Sequence, residues 1–245
     1  MASDISDAIQ YRIIRIPTSS PNLSALIHRF RGTKLAALQE DPSAWVYQHA
    51  AESIHPMSVW EDRMTRKNTI FICVATTQVD LPDEEALASG EWAGFAAIRG
   101  PMSVEEYYPS ADMDQQVPEK AHAETRWHVY DLYIFKAHRS CGLAPKMGAA
   151  LFNTVREAAS EDAAARKARV RLIVHPKSTR LVEGYRWMGF EKAGMVSLKE
   201  GLELNGMKES IPQDTNSTEE LRALYETRYG MAMEKIIGGV SEGSS

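Results

Sequence analysis

Apolar and polar positions alternate along residues 11–16 (YRIIRI), and Pro17 with the Thr-Ser-Ser-Pro cluster ends the run, so a first strand is predicted there. From Leu23 the period changes. Leu23, Leu26, Ile27 and Phe30 recur at helical spacing, and Asp41 followed by Pro42 reads as the N-cap and first-turn proline of a second helix. A third, short helix is predicted from Met57 to Met64. Segments 69–76 (TIFICVAT) and 91–99 (EWAGFAAIR) are rich in β-formers and read as neighbouring antiparallel strands joined by an acidic, proline-containing connection. Residues 101–124 carry Pro101, Pro109 and Pro118 among acidic groups and predict a flexible insertion without a core element. The strongest strand signal, 126–135 (RWHVYDLYIF), runs straight into 137–152 (AHRSCGLAPKMGAALF). There Met147, Leu151, Val155 and Ala158 mark one face of a helix ending near Ser160 or in the alanine-rich, basic segment beyond. A strand over 169–175, a helix over 179–188 stopped by Gly189, and strands over 190–199 and 229–237 complete the pattern. The stretch between those last strands reads as loop, and residues 238–245 as a disordered tail. With no internal repeat, this order predicts one α+β (mixed α/β) domain over 1–245, a mixed sheet covered by helices.

Composition narrows the function classes. Hydrophobic residues make up 44% and charged residues 25%, as in ordinary globular chains, and no apolar run reaches the length that spans a bilayer. The start, MASDISDAIQ, has neither the basic nor the apolar region of a secretory signal. Cys73 and Cys141 read as reduced thiols, which points to a cytoplasmic protein. A net charge of −5 argues against a nucleic-acid surface but leaves room for a local basic pocket. No membrane or metal role is expected, and the oligomeric state is left open between monomer and homodimer.

The chemistry concentrates at 139–146. A strand feeding a glycine-containing turn and then a helix aims several unpaired backbone N–H groups at one spot, to which the helix dipole adds positive charge. Gly142 admits close approach, Ala144 is small, and Pro145 presets the first helical turn. Lys146 in that first turn opposes the dipole unless an anion lies nearby, and with Arg139 it flanks the turn, so a pyrophosphate is the expected guest.

Arg139-Ser-Cys-Gly142-Leu-Ala144 resembles the (Gln/Arg)-x-x-Gly-x-(Gly/Ala) acyl-CoA loop of the GCN5-related N-acetyltransferase (GNAT) superfamily, in which the loop lies between the central fourth strand and the third helix. A second block, VRLIVHPKSTRLVEGYRWMGF, resembles the family's strand and short helix ending in Tyr-x-x-x-Gly-Phe, with Tyr185, Gly189 and Phe190 in register. Ser178 stands where the family often has Asn, seven residues before the tyrosine. The resemblance implies a mostly antiparallel mixed sheet of about seven strands, splayed at the central ones. It also implies acetyl-CoA as co-substrate and acetyl transfer to a primary amine on a small molecule or peptide. Arg139, Ser140, Cys141, Gly142, Leu143, Ala144 and Lys146 would then hold the pyrophosphate, Ser178 the pantetheine arm, and the N–H groups of Ile134 and Phe135 the thioester or pantetheine. The alternative is an acyl-CoA-binding module of the same fold without catalysis.

Within that reading Tyr185 is the general acid for the departing thiolate. His128 shares a strand face with Arg126, Tyr130 and Leu132 and is the expected general base, because an ordinary histidine titrates near neutrality. Glu124, Asp131 or a water chain stand in reserve. Cys141 fills an unconstrained loop position, so a covalent route through it is not expected. The basic run RKARVR (166–171) reads as cations at a helix C-terminus entering the next strand, and Trp45, Tyr47 and Trp60 as core aromatics or acceptor-pocket walls.

Overall fold

A computed structural model describes residues 9–78, 80–109, 115, 117–118, 123–161 and 167–238. The described residues form seven strands: β1 (Gln10–Arg15), β2 (Asn68–Thr76), β3 (Glu91–Arg99), β4 (Glu124–Ile134), β5 (Lys167–Val174), β6 (Glu191–Ser197) and β7 (Tyr229–Gly238). They hydrogen-bond in the order β1-β2-β3-β4-β5-β7-β6. The pairs β1·β2, β5·β7 and β6·β7 are antiparallel, while β4·β5 is parallel. This mixed, mostly antiparallel sheet is the one expected. The β4·β5 register runs as far as Val129↔Leu172, although β4 continues to Ile134. Two residues beyond that end, Asp131 has φ 56, a left-handed torsion that an extended ladder does not accommodate.

The chain forms two compact units, Met1–Ala97 with Asp131–Leu151, and Ile98–Tyr130 with Phe152–Ser245. In the first, α1 (Leu23–Glu40) buries Leu26, Ile27, Phe30, Ala37 and Leu38 at helical spacing, with Lys34 on the same face. Asp41 does not cap a second helix as expected. Its side chain makes no cap bond, Pro42–Ala44 form one 3-10 turn, and α2 (His49–Ser53) starts later. Next come α3 (Met57–Thr65), whose Trp60 is fully buried, and α4 (Asp83–Ser89) in the acidic connection. Gly94 lies where β3 meets the end of β4: an added Cβ would sit 2.6 Å from both Ile134 Cδ1 and the Tyr133 carbonyl oxygen.

The second unit corrects two expectations. The proline-rich 101–124 stretch holds a core element after all. Helix α5 (Val104–Tyr107) starts with a capping box in which Glu106 N–H donates to Ser103 Oγ and Ser103 N–H to Glu106 Oε2, and Met102 and Tyr107 join Val196, Leu204 and Ala232 in a buried cluster. Residues 110–114, 116 and 119–122 of that stretch, like 239–245 of the tail, lie outside the described residues. The loop expected between β6 and β7 contains α8 (Leu198–Leu204), with a Ser197/Glu200 capping box, and α9 (Glu219–Tyr225), capped by Thr218. Arg169 and Arg171 lie on β5, within the strand expected over 169–175. Arg169 pairs with Glu124 and Glu234 at 2.8 Å each, and Arg171 is fully buried against Tyr107. Helix α6 (Leu143–Glu161) follows the loop, and α7 (Thr179–Trp187) ends before Gly189, whose φ of 86 suits glycine. No helix among the described residues is long and apolar enough to cross a membrane.

Candidate active site

In the first unit the end of β4 delivers the 139–146 segment. Phe135 N–H donates to the Ala93 carbonyl of β3 at 3.0 Å, so it is not available for a ligand, contrary to expectation. Because N–H directions alternate along a strand, the preceding Ile134 N–H points to the opposite edge of β4. The Ile134 carbonyl accepts from Arg139 Nε at 3.0 Å. Arg139 also pairs with Asp41 Oδ2 at 3.0 Å, lies over the Tyr133 ring and gives its own N–H to the Lys136 carbonyl. It braces the loop with its side chain and keeps its charge at the loop's base.

Ser140 (φ 66) and Gly142 (φ 67) are both left-handed and enclose Cys141. The chain therefore turns sharply before α6, while Leu143 and Met147 anchor the helix in the core and Ala144, Pro145 and Lys146 stay exposed. Among the described residues no carbonyl or side-chain acceptor takes the N–H of Ser140, Cys141, Gly142, Leu143 or Ala144. A Cβ added at Gly142 would meet nothing within 4 Å, so the corner is open and glycine is required by the torsion alone. No acidic residue occupies the first turn of α6 to compete for these donors. The arrangement is a nest of peptide donors at the positive end of a 19-residue helix, suited to a phosphate or pyrophosphate.

Around it, Glu40 Oε2 accepts from Tyr133 Oη at 2.7 Å and from Lys136 N–H at 3.1 Å. Burial would raise the Glu40 carboxyl, but these hydrogen bonds, with the charges of Lys136 and Arg139, hold it below its ordinary range. The Arg139 hydrogen bond does the same for Asp41. His138 is buried between Tyr11 Oη and Glu91 Oε1, each at 3.2 Å. Cys73 and Cys141 are both free thiols, and burial pushes Cys73 up to about 11. Trp60 is core, while Trp45 stacks on Phe95 and packs against Tyr47 and Tyr133.

The second unit holds His128, Ser178 and Tyr185. His128 is 1% exposed, its Nε2 is 2.8 Å from Asn205 Oδ1, and burial together with the charge of Arg171 pulls it down to about 3. It is a neutral interior group, stacked on Tyr130, and lacks the near-neutral titration expected of it. Arg171, its register partner on β5, was missed by sequence reasoning. Its side chain gives bonds to the Tyr107 carbonyl and to Gln115, and it has no carboxylate in ion-pair range among the described residues. Ser178 precedes α7 without capping it through its hydroxyl. Tyr185 is half-buried, edge-on to Phe190 at 5.9 Å, and burial raises its phenol, which keeps it protonated. Glu124 and Asp131 are committed to Arg169 and Lys34, respectively. Among the described residues no group of three His, Cys, Asp or Glu side chains converges on a metal position.

No protein-family model and no curated protein sequence matches the chain. Solved structures to which it is similar include acetyltransferases. Arabidopsis thaliana NAA60, in complex with a bisubstrate analogue, shares 14% identity over 94% of this chain and 100% of that chain, with a TM-score of 0.48. The ribosomal-protein-S18-alanine N-acetyltransferase of Escherichia coli shares 8% over 96% and 99%, also with a TM-score of 0.48. Aminoglycoside acetyltransferase AAC(6')-Ib, in complex with coenzyme A and kanamycin, shares 12% over 93% and 94%, with a TM-score of 0.45.

Proposed function

We propose that this protein is an acetyl-CoA-dependent N-acetyltransferase of the GNAT type, acting on a primary amine of a small molecule or a peptide. The observation that carries the reading is the open corner at Ser140–Ala144, where five peptide N–H groups without acceptors among the described residues meet the N-terminus of α6. Those donors would hold the pyrophosphate, with Lys146 exposed beside them and Arg139 bracing the turn. Ser178 is assigned to the pantetheine arm by the resemblance. The Ile134 N–H would polarise the thioester carbonyl while the acceptor nitrogen forms its bond to that carbon and the carbon–sulfur bond breaks. Tyr185 would give its proton to the departing thiolate, which its raised pKa allows because the phenol is in the donor form at neutral pH. The amine's proton goes to water, since His128 is too weakly basic and Glu124 and Asp131 are already ion-paired. Two free cysteines fit a reducing, cytoplasmic setting.

That commitment of all three candidate bases also favours a second reading, a CoA-binding module without turnover. Thiol release from acetyl-CoA across a panel of amines separates the two. On the enzyme reading at least one amine gives turnover, and Tyr185→Phe lowers kcat by about tenfold or more while KM for acetyl-CoA moves little. CoA binding with no thiol release for any amine would leave only the module.

A further inference from the structure

Among the described residues three non-glycines have left-handed torsions, and only Asp131 lies inside a strand; Lys67 precedes β2 and Ser140 is in the loop. A single left-handed residue breaks the side-to-side alternation of an extended chain, so it sets where every later N–H and C=O of that strand points. Three residues on is Ile134, whose carbonyl receives Arg139, and next Phe135, whose N–H is fixed on Ala93.

A residue with a Cβ keeps such a torsion only where its surroundings hold it. Here the Asp131 carboxylate is gripped from two sides: Lys34 Nζ lies 2.5 Å from Oδ2, and Tyr47 Oη donates to Oδ1 at 2.5 Å. Lys34 is itself 1% exposed, sits where the helical period of α1 calls for an apolar residue, and lies 4.8 Å from the centre of the Tyr47 ring. Lys34 Nζ is also 6.0 Å from the centre of the Trp60 ring, Arg63 Cζ is 5.0 Å from the same ring, and Arg63 pairs with the buried Glu52 at 2.6 Å. A buried ion pair of this kind contributes little net stability over apolar side chains of the same volume, so its presence calls for another role.

We propose that Lys34 and Tyr47 are positioning residues for the acyl-CoA site: by holding the Asp131 carboxylate they fix the kink in β4 that aims the Ile134 peptide and seats Arg139 under the 140–144 turn. The assignment rests on the acyl-CoA reading above. The two variants Lys34→Met/Asp131→Ala and Lys34→Met/Asp131→Gly remove the same charges but differ in backbone preference, because glycine adopts the left-handed torsion freely. CoA affinity by calorimetry should fall about tenfold in the alanine pair, and the glycine pair should recover most of that loss. Tyr47→Phe, which keeps the ion pair, should raise KM for acetyl-CoA about threefold with kcat nearly unchanged. Equal CoA affinity in the two double variants overturns the proposal. Should both fail to fold, an unchanged KM in Tyr47→Phe overturns it instead. Absence of CoA binding by the native protein is a different result: it removes the acyl-CoA reading itself, and with it the site being positioned.

Discussion

At the residue scale, the turn before α6 depends on the torsion of Gly142 and not on space around it. Its φ of 67 lies where an L-residue is strained, yet a Cβ there would touch nothing within 4 Å. Gly142→Ala should therefore destabilise the fold by only about 1 kcal/mol, yet weaken CoA binding about tenfold as the turn relaxes and its donors diverge. Chemical denaturation and calorimetry on the same sample check the two numbers. His128 makes a second residue-scale prediction with a definite sign. Its folded pKa of about 3 lies below the ordinary histidine value near 6.5, so the unfolded chain binds the extra proton in between. The contribution is fully present above pH 6.5 and is lost as pH falls towards 3, with a slope of about 1.4 kcal/mol per pH unit. His128→Gln should flatten the stability profile by that one-proton slope between pH 4 and 6 (about the middle of that window), as measured by denaturation across pH. The glycine was legible because a turn residue announces itself locally. The depressed histidine was not, because Asn205 is 77 positions away and Arg171 belongs to another strand.

At the scale of elements, strand and helix existence followed the apolar period closely for β1, α1, β2, β3, β4, α6 and α7. The misses share a cause: polar signals that end one element and start another were read as continuation or as loop. Ser197-x-x-Glu200 is a capping box, but it follows a β-like run, and the strand was extended through it to Lys199. Ser103-x-x-Glu106 was masked in the same way by the prolines around it. The α8 box is reciprocal, with Glu200 N–H donating to Ser197 Oγ at 3.2 Å and Ser197 N–H to Glu200 Oε2 at 2.8 Å. Ser197→Ala should cost about 1 kcal/mol of unfolding free energy, read by chemical denaturation, and Ser197→Asp, which still accepts from the N3 amide, should recover most of it. The helix capped here carries Leu202 and Leu204 into the second unit's core and ends beside Asn205, the partner of His128, so the cap supports an interior hydrogen bond as well as a helix.

At the scale of the whole molecule, topology was the part the sequence could not order. The last strand, β7, enters between β5 and β6, placing Glu234 beside Arg169 and Met231 opposite Val174. Nothing local in either strand states that choice, which is made by antiparallel pairing over eight residue pairs with β5. Binding at the 140–144 corner would act on stability as a whole, because a ligand that prefers the folded chain shifts the unfolding equilibrium by mass action. At a hundredfold excess over its Kd, CoA should stabilise the protein by about 2.7 kcal/mol, which for a chain of this size raises Tm by roughly 5–10 °C. ATP and NAD also carry polyphosphates and would engage the same nest of donors, but neither has a pantetheine arm to add contacts beyond it, so their shifts at equal concentration should be far smaller. Differential scanning measurements with the three ligands decide the matter: a CoA shift clearly above the others supports the acyl-CoA reading, and three equal shifts reduce the corner to a general phosphate site.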